Sequence, residues 1–267
     1  MAESIKTQKR RRLSILIYSC WKNADMWEIF STLFERYWTD CDYERVLVTD
    51  CYHYSDDKRL FDRVICVDGS WYEMITTALH EVKSDYVMLM MDDYLLCDHV
   101  DSKTLEHIMD DADRYNAANI RFINSDIHLE KKSFEQDSAY DIYTPGKAYS
   151  ITTQIGVWNS EVLLEYMRPE WSAWDFERKG SLEISDEKHP LLGTKSFQFP
   201  YVEGVRKGKW MKQGIDICEK NGIFPDFSKR RRFGIMGMAA LKLKTAIYNI
   251  NPTLMLKVYN HIHEKHD

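Results

Sequence analysis

Two carboxylates stand side by side at Asp92-Asp93, directly after the unbroken apolar run 87–91 (VMLMM). Adjacent carboxylates repel, and a divalent cation is one way to relieve that. A second acidic pair, Asp175 and Glu177, lies two residues apart beside Trp171 and Trp174. With a helix cap near Ser172 these acids fall in a first helical turn, where the dipole favours their charged form. Large aromatics alongside would instead raise a carboxyl pKa, and either state suits general acid/base work. Between Gly204 and Trp210 come two glycines and the cations Arg206, Lys207 and Lys209, a composition that suits an anion-binding loop. Asp50 closes the run 45–49, where an acid can meet a ribose or base. Each feature has a plainer alternative: a solvated acidic turn, ordinary N-terminal acids of a helix, a wet basic turn.

The surrounding pattern supplies elements able to position these groups. A short unbroken apolar run fits a strand buried on both faces, as in a parallel sheet. Residues 13–18, 45–49, 63–67 and 87–91 read as four such strands, with helices over 25–37 and 71–82. The order β-α-β-β-α-β argues for a mostly parallel α/β sheet. Ligands bind outside the carboxyl ends of such strands, which is where Asp50 and Asp92-Asp93 fall. Further on, a helix is expected over 102–115, a strand over 118–123 and a β element over 149–158. A helix over 160–167, a strand over 197–202 and a helix over 214–221 follow. The first strand carries no GxGxxG and no GxxxxGK[ST] after it, which weighs against an ordinary dinucleotide fold and a phosphate-loop NTPase.

The chain of 267 residues is long enough for a sizeable core, and its 44% hydrophobic and 29% charged residues are those of a soluble globular protein. Six cysteines without a CxxC pair or zinc spacing, and no signal-peptide pattern, lead to the expectation of a reducing, cytoplasmic setting. Charge is unevenly placed. The net −6 divides into +4 over 1–12, +6 over 228–267 and −16 for the body between. Basic ends suggest an anionic surface as partner, and the acidic body disfavours extended contact with nucleic acid. The tail joins the cluster Lys229–Arg232 to apolar stretches over 233–248 and 253–262, which fits lying in a membrane interface. A helix pair packed on the domain, or a dimer contact, fits as well.

Taken in order, several stretches resemble one family. They are Tyr18-Ser19-Cys20, Trp71 to Leu79 (WYEMITTAL), Tyr86 to Leu95 (YVMLMMDDYL), Thr153 to Trp158 (TQIGVW), Ser172 to Glu177 (SAWDFE) and Gly204 to Trp210 (GVRKGKW). The set is similar to bacterial glycosyltransferases of the GT-A fold that build surface polysaccharides, capsule or lipopolysaccharide, and it covers about residues 13–225. The resemblance implies a GT-A-like, Rossmann-like domain over 13–227 between a basic segment (1–12) and a basic amphipathic helical tail (228–267). It implies a nucleotide-sugar donor and a saccharide or lipid-linked acceptor, and the tail, outside the resemblance, adds the expectation of a peripheral place at the inner face of the cell membrane. It implies Asp92 and Asp93 at the donor diphosphate, holding Mn²⁺ or Mg²⁺. The usual motif is Asp-x-Asp, and a metal-free variant would need Arg206, Lys207 and Lys209 on the leaving group. Tyr18, Ser19 and Asp50 would hold the nucleoside. Asp175 would be the base of an inverting displacement, with Glu177 as its understudy, and Gln154, Trp158 and Trp174 would meet the acceptor. A sugar-phosphate nucleotidyltransferase is the second enzyme class. It normally carries a Gly-rich basic loop after the first strand, whereas residues 19–25 hold no glycine. A non-enzymatic membrane-surface module is the third reading.

Overall fold

A computed structural model describes residues 12–50, 60–122 and 127–263. The cysteine Cys51, the last position of the expected strand 118–123 and nearly all of the basic segment 1–12 lie outside them. Along the chain come β1 (Leu13–Tyr18), α1 (Ala24–Tyr37), β2 (Glu44–Thr49), β3 (Arg63–Cys66), α2 (Trp71–Val82) and β4 (Tyr86–Met91). Next are β5 (Tyr94–Leu96), α3 (Ser102–Tyr115), β6 (Asn119–Arg121), β7 (Lys131–Ser133), β8 (Tyr140–Tyr143), β9 (Gly156–Asn159) and α4 (Ser160–Tyr166). A helical run follows, made of α5 (Ala173–Asp175), a π-helical turn (Phe176–Gly180) and α6 (Ser181–Glu183). The chain closes with β10 (Leu191–Thr194), β11 (Tyr201–Glu203), β12 (Val205–Arg206), β13 (Lys209–Trp210), α7 (Lys212–Lys220), α8 (Ile235–Tyr248) and α9 (Pro252–His263).

The expected α/β architecture is present: a sheet flanked by helices, with a helical C-terminal region. Its order is β3-β2-β1-β4-β9-β6-β10-β8-β7. The four strands read first from the sequence are mutually parallel, with β1 central between β2 and β4. Beyond β4 the sheet is mixed, because β9 runs antiparallel between β4 and β6. Alternation explains the apolar runs. Ile15, Ile17, Met88 and Met90 pack on one face with α1 and α3, while Leu16, Val87 and Leu89 pack on the other with α2 and α4. Each such fully buried aliphatic side chain contributes about 1.5–3 kcal/mol, so a charge at 87 or 88 would break the sheet centre.

Three expectations change. Of the expected 149–158 element only the end is strand, as part of Gly156–Asn159, and the preceding residues form a loop that serves the site. The expected 197–202 strand shrinks to Tyr201–Glu203, since Pro200 has no N–H to give a ladder. Arg12 does not offer its charge to an outside surface: it pairs with Glu106 at 2.7 Å and Asp110 at 2.6 Å on α3. Among the described residues no helix is long and apolar enough to cross a membrane.

Candidate active site

Register brings the strand ends together. Tyr18 at the end of β1 lies opposite Val48 of β2 and Met91 of β4. Ser19, Asp50 and Asp92, the next residues of each strand or nearly so, therefore emerge along one edge. The Ser19 hydroxyl donates to Asp92 Oδ2 and accepts from Trp27 Nε1 at 2.7 Å. Asp50 Oδ1 accepts from the Trp21 N–H at 2.7 Å, fixing the turn between β1 and α1. Burial pushes the Tyr18 phenol up, and Cys20, Asp50 and Asp92 push it the same way.

Asp92 and Asp93 sit in the turn between β4 and β5, both largely out of water. Burial raises Asp92 to about 6, against the opposing pull of Ser19, Arg230 and Asn23. Burial together with Asp92 and Glu203 raises Asp93 to about 8. Asp93 Oδ1 is buried and has no hydrogen-bond partner among the described residues, the mark of an atom waiting for a ligand group.

The cation facing this pair comes from the basic cluster of the tail. Arg230 Nε donates to Asp25 Oδ2 at 2.7 Å, and Nη2 donates to Asp25 Oδ1 and Asn23 Oδ1 at 2.8 Å each. Its side chain is 10% exposed, and its charge lowers both Asp92 and Asp93. Backbone pairing delivers it. The Trp210 N–H donates to Arg231 O at 2.9 Å, and the Phe233 N–H donates to Trp210 O at 2.7 Å. The basic cluster is thus stitched onto β13. Which of four consecutive cations turns inward has no sequence signature.

The described residues form no closed metal centre of their own. Asp92 Oδ2 is committed to Ser19, and Arg230 already supplies positive charge to the pair. Among the described residues no group of three His, Cys, Asp or Glu side chains could hold a metal ion.

The loop after β11 is a hairpin and not an anion cradle. Lys207 (φ +50°) and Gly208 (φ +69°) are the two left-handed residues of a tight turn joining β12 to β13. Lys207 and Lys209 are exposed, and Arg206 is held by Glu203, its Nε donating at 2.7 Å. What the loop does supply is a fixed backbone for Asp93. The Gly204 N–H donates to Asp93 O at 2.7 Å, in a contact so close that a Cβ at 204 would lie 2.7 Å from Leu95 Cδ1.

Beside the aspartates opens a cavity of about 490 Å³, walled by Tyr18, Trp71, Met91, Tyr94, Trp171 and Glu177 among others. The two acids of the second pair part company here. Ser172 caps α5 as expected, and Asp175 is the reciprocal member of the capping box, accepting from Ser172 N at 3.2 Å and Ser172 Oγ at 2.6 Å. Burial would raise its pKa, but Ser172, Lys179 and Arg178 outweigh it and hold the carboxyl low. Asp175 does not wall the cavity. Glu177, carried by the π-helical turn, does. Its Oε1 accepts from Thr152 Oγ1 at 2.9 Å, Thr153 N at 2.7 Å and Thr153 Oγ1 at 2.9 Å, which leaves Oε2 as the oxygen for a ligand. Behind this grip, Ser181 Oγ bonds both N and O of Ile151. The buried Arg121 donates to Tyr149 O at 3.0 Å and to Ser150 O. The loop that disappointed the strand expectation is the holder of Glu177.

Two tyrosines link the halves of the site. The rings of Tyr94 and Tyr201 lie 4.7 Å apart, and both phenols are raised by burial first and then by Glu177, Asp93 and Glu203. Tyr201 donates to Gln154 Oε1 at 2.9 Å, at the cavity wall. Trp174 stands at the rim, 67% exposed. Trp158 cannot stack on a sugar: it is fully buried in β9 between Tyr166 and Phe176.

No protein-family model matches the chain, and no curated protein does. Solved structures do. TarS of S. aureus (residues 1–349, in complex with UDP-GlcNAc) matches at 12% identity and a TM-score of 0.47, over 74% of this chain and 60% of that one. The mannosyltransferase PcManGT of Pyrobaculum calidifontis, in complex with GDP-Man and Mn²⁺, matches at 13% and 0.36, over 59% and 47%. A cytidylyltransferase of Leptospira borgpetersenii matches at 13% and 0.40, over 80% and 96%. The chain spans 36–60% of the length of the first TarS structures it matches. Likeness of this order is one of chain course alone.

Proposed function

We propose that the protein is a nucleotide-sugar-dependent glycosyltransferase acting by a single, inverting displacement, in the assembly of a surface polysaccharide. One observation carries the reading: a buried aspartate pair faced by a fixed arginine stands at the strand ends, and a positioned glutamate faces an adjoining cavity across two tyrosines. The first half suits a leaving group, the second an attacking hydroxyl. Tyr18 and Asp50 hold the nucleoside, while the buried Ser19 fixes Asp92 instead of meeting it. Arg230, its Nε and Nη2 taken up by Asp25, meets the diphosphate through Nη1 and stabilises the charge that builds on it. Asp93 Oδ1 pairs with a donor hydroxyl. In the cavity the acceptor hydroxyl gives its proton to Glu177 Oε2 while its oxygen bonds to the anomeric carbon. The bond from that carbon to the diphosphate oxygen breaks, and its electron pair leaves with the nucleoside diphosphate. Trp174 offers a ring face to the acceptor sugar. Glu177 replaces Asp175 as base because Asp175 is engaged in its own helix start.

The test is a panel of UDP-, GDP-, CMP- and dTDP-sugars, scored first by thermal shift and then by acceptor-dependent release of the nucleotide. Stabilisation by one donor, with turnover lost in Glu177→Gln, is the expected result. Release of pyrophosphate from a nucleoside triphosphate and a sugar phosphate would replace this reading with a nucleotidyltransferase.

A further inference from the structure

α8 is apolar almost all round, yet none of its described residues is buried. A helix of that composition is ordinarily covered. Met236, Leu243 and Ile247 are 87%, 63% and 46% exposed, and on α9 Leu254, Val258 and Ile262, spaced four apart, are 50%, 45% and 50% exposed. Packing of α9 on the domain does not need its exposed face, because the opposite side is already docked. There Leu256 is fully buried, Thr253 Oγ1 accepts from the Ala148 N–H at 3.1 Å, and the Arg178 guanidinium lies 4.8 Å from the Tyr259 ring centre.

We propose that the outward faces of α8 and α9 lie in the interface of an anionic lipid bilayer. Charge selects this occupant. From Phe227 to His263 there is no Asp or Glu, and Lys242, Lys244 and Lys257 are exposed among the apolar residues. A second copy would set these cations against their like, whereas anionic headgroups complement them and the acyl boundary takes the leucines. Fourteen residues of helix span about 21 Å, short of the roughly 30 Å hydrocarbon core, so α8 lies along the surface. The docking also orients the site. α9 packs on the π-helical turn that carries Glu177, and Arg178 Nε donates to the carbonyl of Trp174, at the cavity rim, at 3.0 Å. The rim at Trp174 is thus tied through Arg178 to the helix that meets the lipid, an arrangement that suits an acceptor on a lipid carrier. This last clause rests on the transferase reading.

The experiment is co-sedimentation of the full chain with phosphatidylcholine vesicles, with and without phosphatidylglycerol. Wild type is expected to bind only the anionic vesicles. Leu243→Glu/Leu254→Glu, at exposed positions and so with an unchanged melting temperature, should bind at least about tenfold less. Lys242→Glu/Lys244→Glu should lose the preference for anionic lipid. Equal binding to neutral vesicles, wild-type binding by the leucine variant, or a dimer that the leucine variant dissociates while vesicles are ignored would each overturn the proposal. The readout needs no sugar donor, so it stands if the transferase reading falls. Docking without preference for a lipid-carried acceptor over the same free saccharide would remove the acceptor clause alone.

Discussion

The Asp93→Asn variant exchanges one carboxylate oxygen for an amide nitrogen at a site almost closed to water. Folding lifts this carboxyl to about 8, whereas an aspartate in an unfolded chain ionises at about 3.9. Between those values the folded state keeps a proton that the unfolded chain has released, so stability falls as pH rises. One proton is worth at most about 1.4 kcal/mol per pH unit, a ceiling of about 4 kcal/mol by pH 7. Asp92 titrates with its neighbour, which reduces the share belonging to Asp93 alone. A gain of about 2–4 kcal/mol for the asparagine variant at pH 7 is the working figure. It should vanish below about pH 3, where both states of the wild type are protonated. At about 2–4 °C per kcal/mol for a chain of this size, the neutral-pH variant melts several degrees higher. Urea titrations of both proteins at a series of pH values measure the difference directly. A difference that does not change with pH, or a variant less stable than wild type at neutral pH, would refute the burial argument. The same variant should lose sugar transfer; retained turnover would remove Asp93 from the donor site while leaving the stability result intact.

Glu177→Gln should lower kcat by about 10²–10⁴-fold with the fold intact, while Asp175→Asn should keep most activity and cost about 1 kcal/mol of stability through the weakened cap; steady-state kinetics and melting curves on both variants separate the roles. Arg230→Ala should raise the donor KM and lower kcat, with partial return in Arg230→Lys, and wild-type turnover should survive EDTA; loss of all activity in chelator would return the leaving group to a metal. Trp158→Ala should cost about 3–5 kcal/mol, whereas Trp174→Ala should leave stability unchanged and raise the acceptor KM, which denaturation and saturation curves check.

The strands over 13–18, 45–49 and 87–91 were legible because both faces of each are buried, which writes them as continuous apolar runs. β10 (LLGT) was not, and neither was the β7–β8 hairpin: they are short, and neighbouring strands supply what their own residues do not signal. The place of Asp92 and Asp93 followed from a strand end and needed no tertiary knowledge. Arg230 meets Asp25 across 205 residues of chain, and nothing local marks it out from its neighbours. The exchange of Asp175 for Glu177 did have a local sign, since Ser172-Ala173-Trp174-Asp175 is the pattern of a reciprocal cap and so announces an aspartate already engaged.

The pairing of Trp210 with the segment 231–233 bears on how the protein can be shortened. A greasy, basic C-terminus invites removal to improve handling, and the composition break at 228 looks like the natural cut. That cut would take away Arg230 together with the backbone that Trp210 bonds, and with it the brace on Asp25. A chain ending just after Phe233 keeps the arginine and both backbone bonds, and gives up α8 and α9 together with the packing of α9 on the turn that carries Glu177. Two versions differing by six residues would then behave as different proteins, one lacking its charge anchor as well as both helices and the other lacking the helices alone.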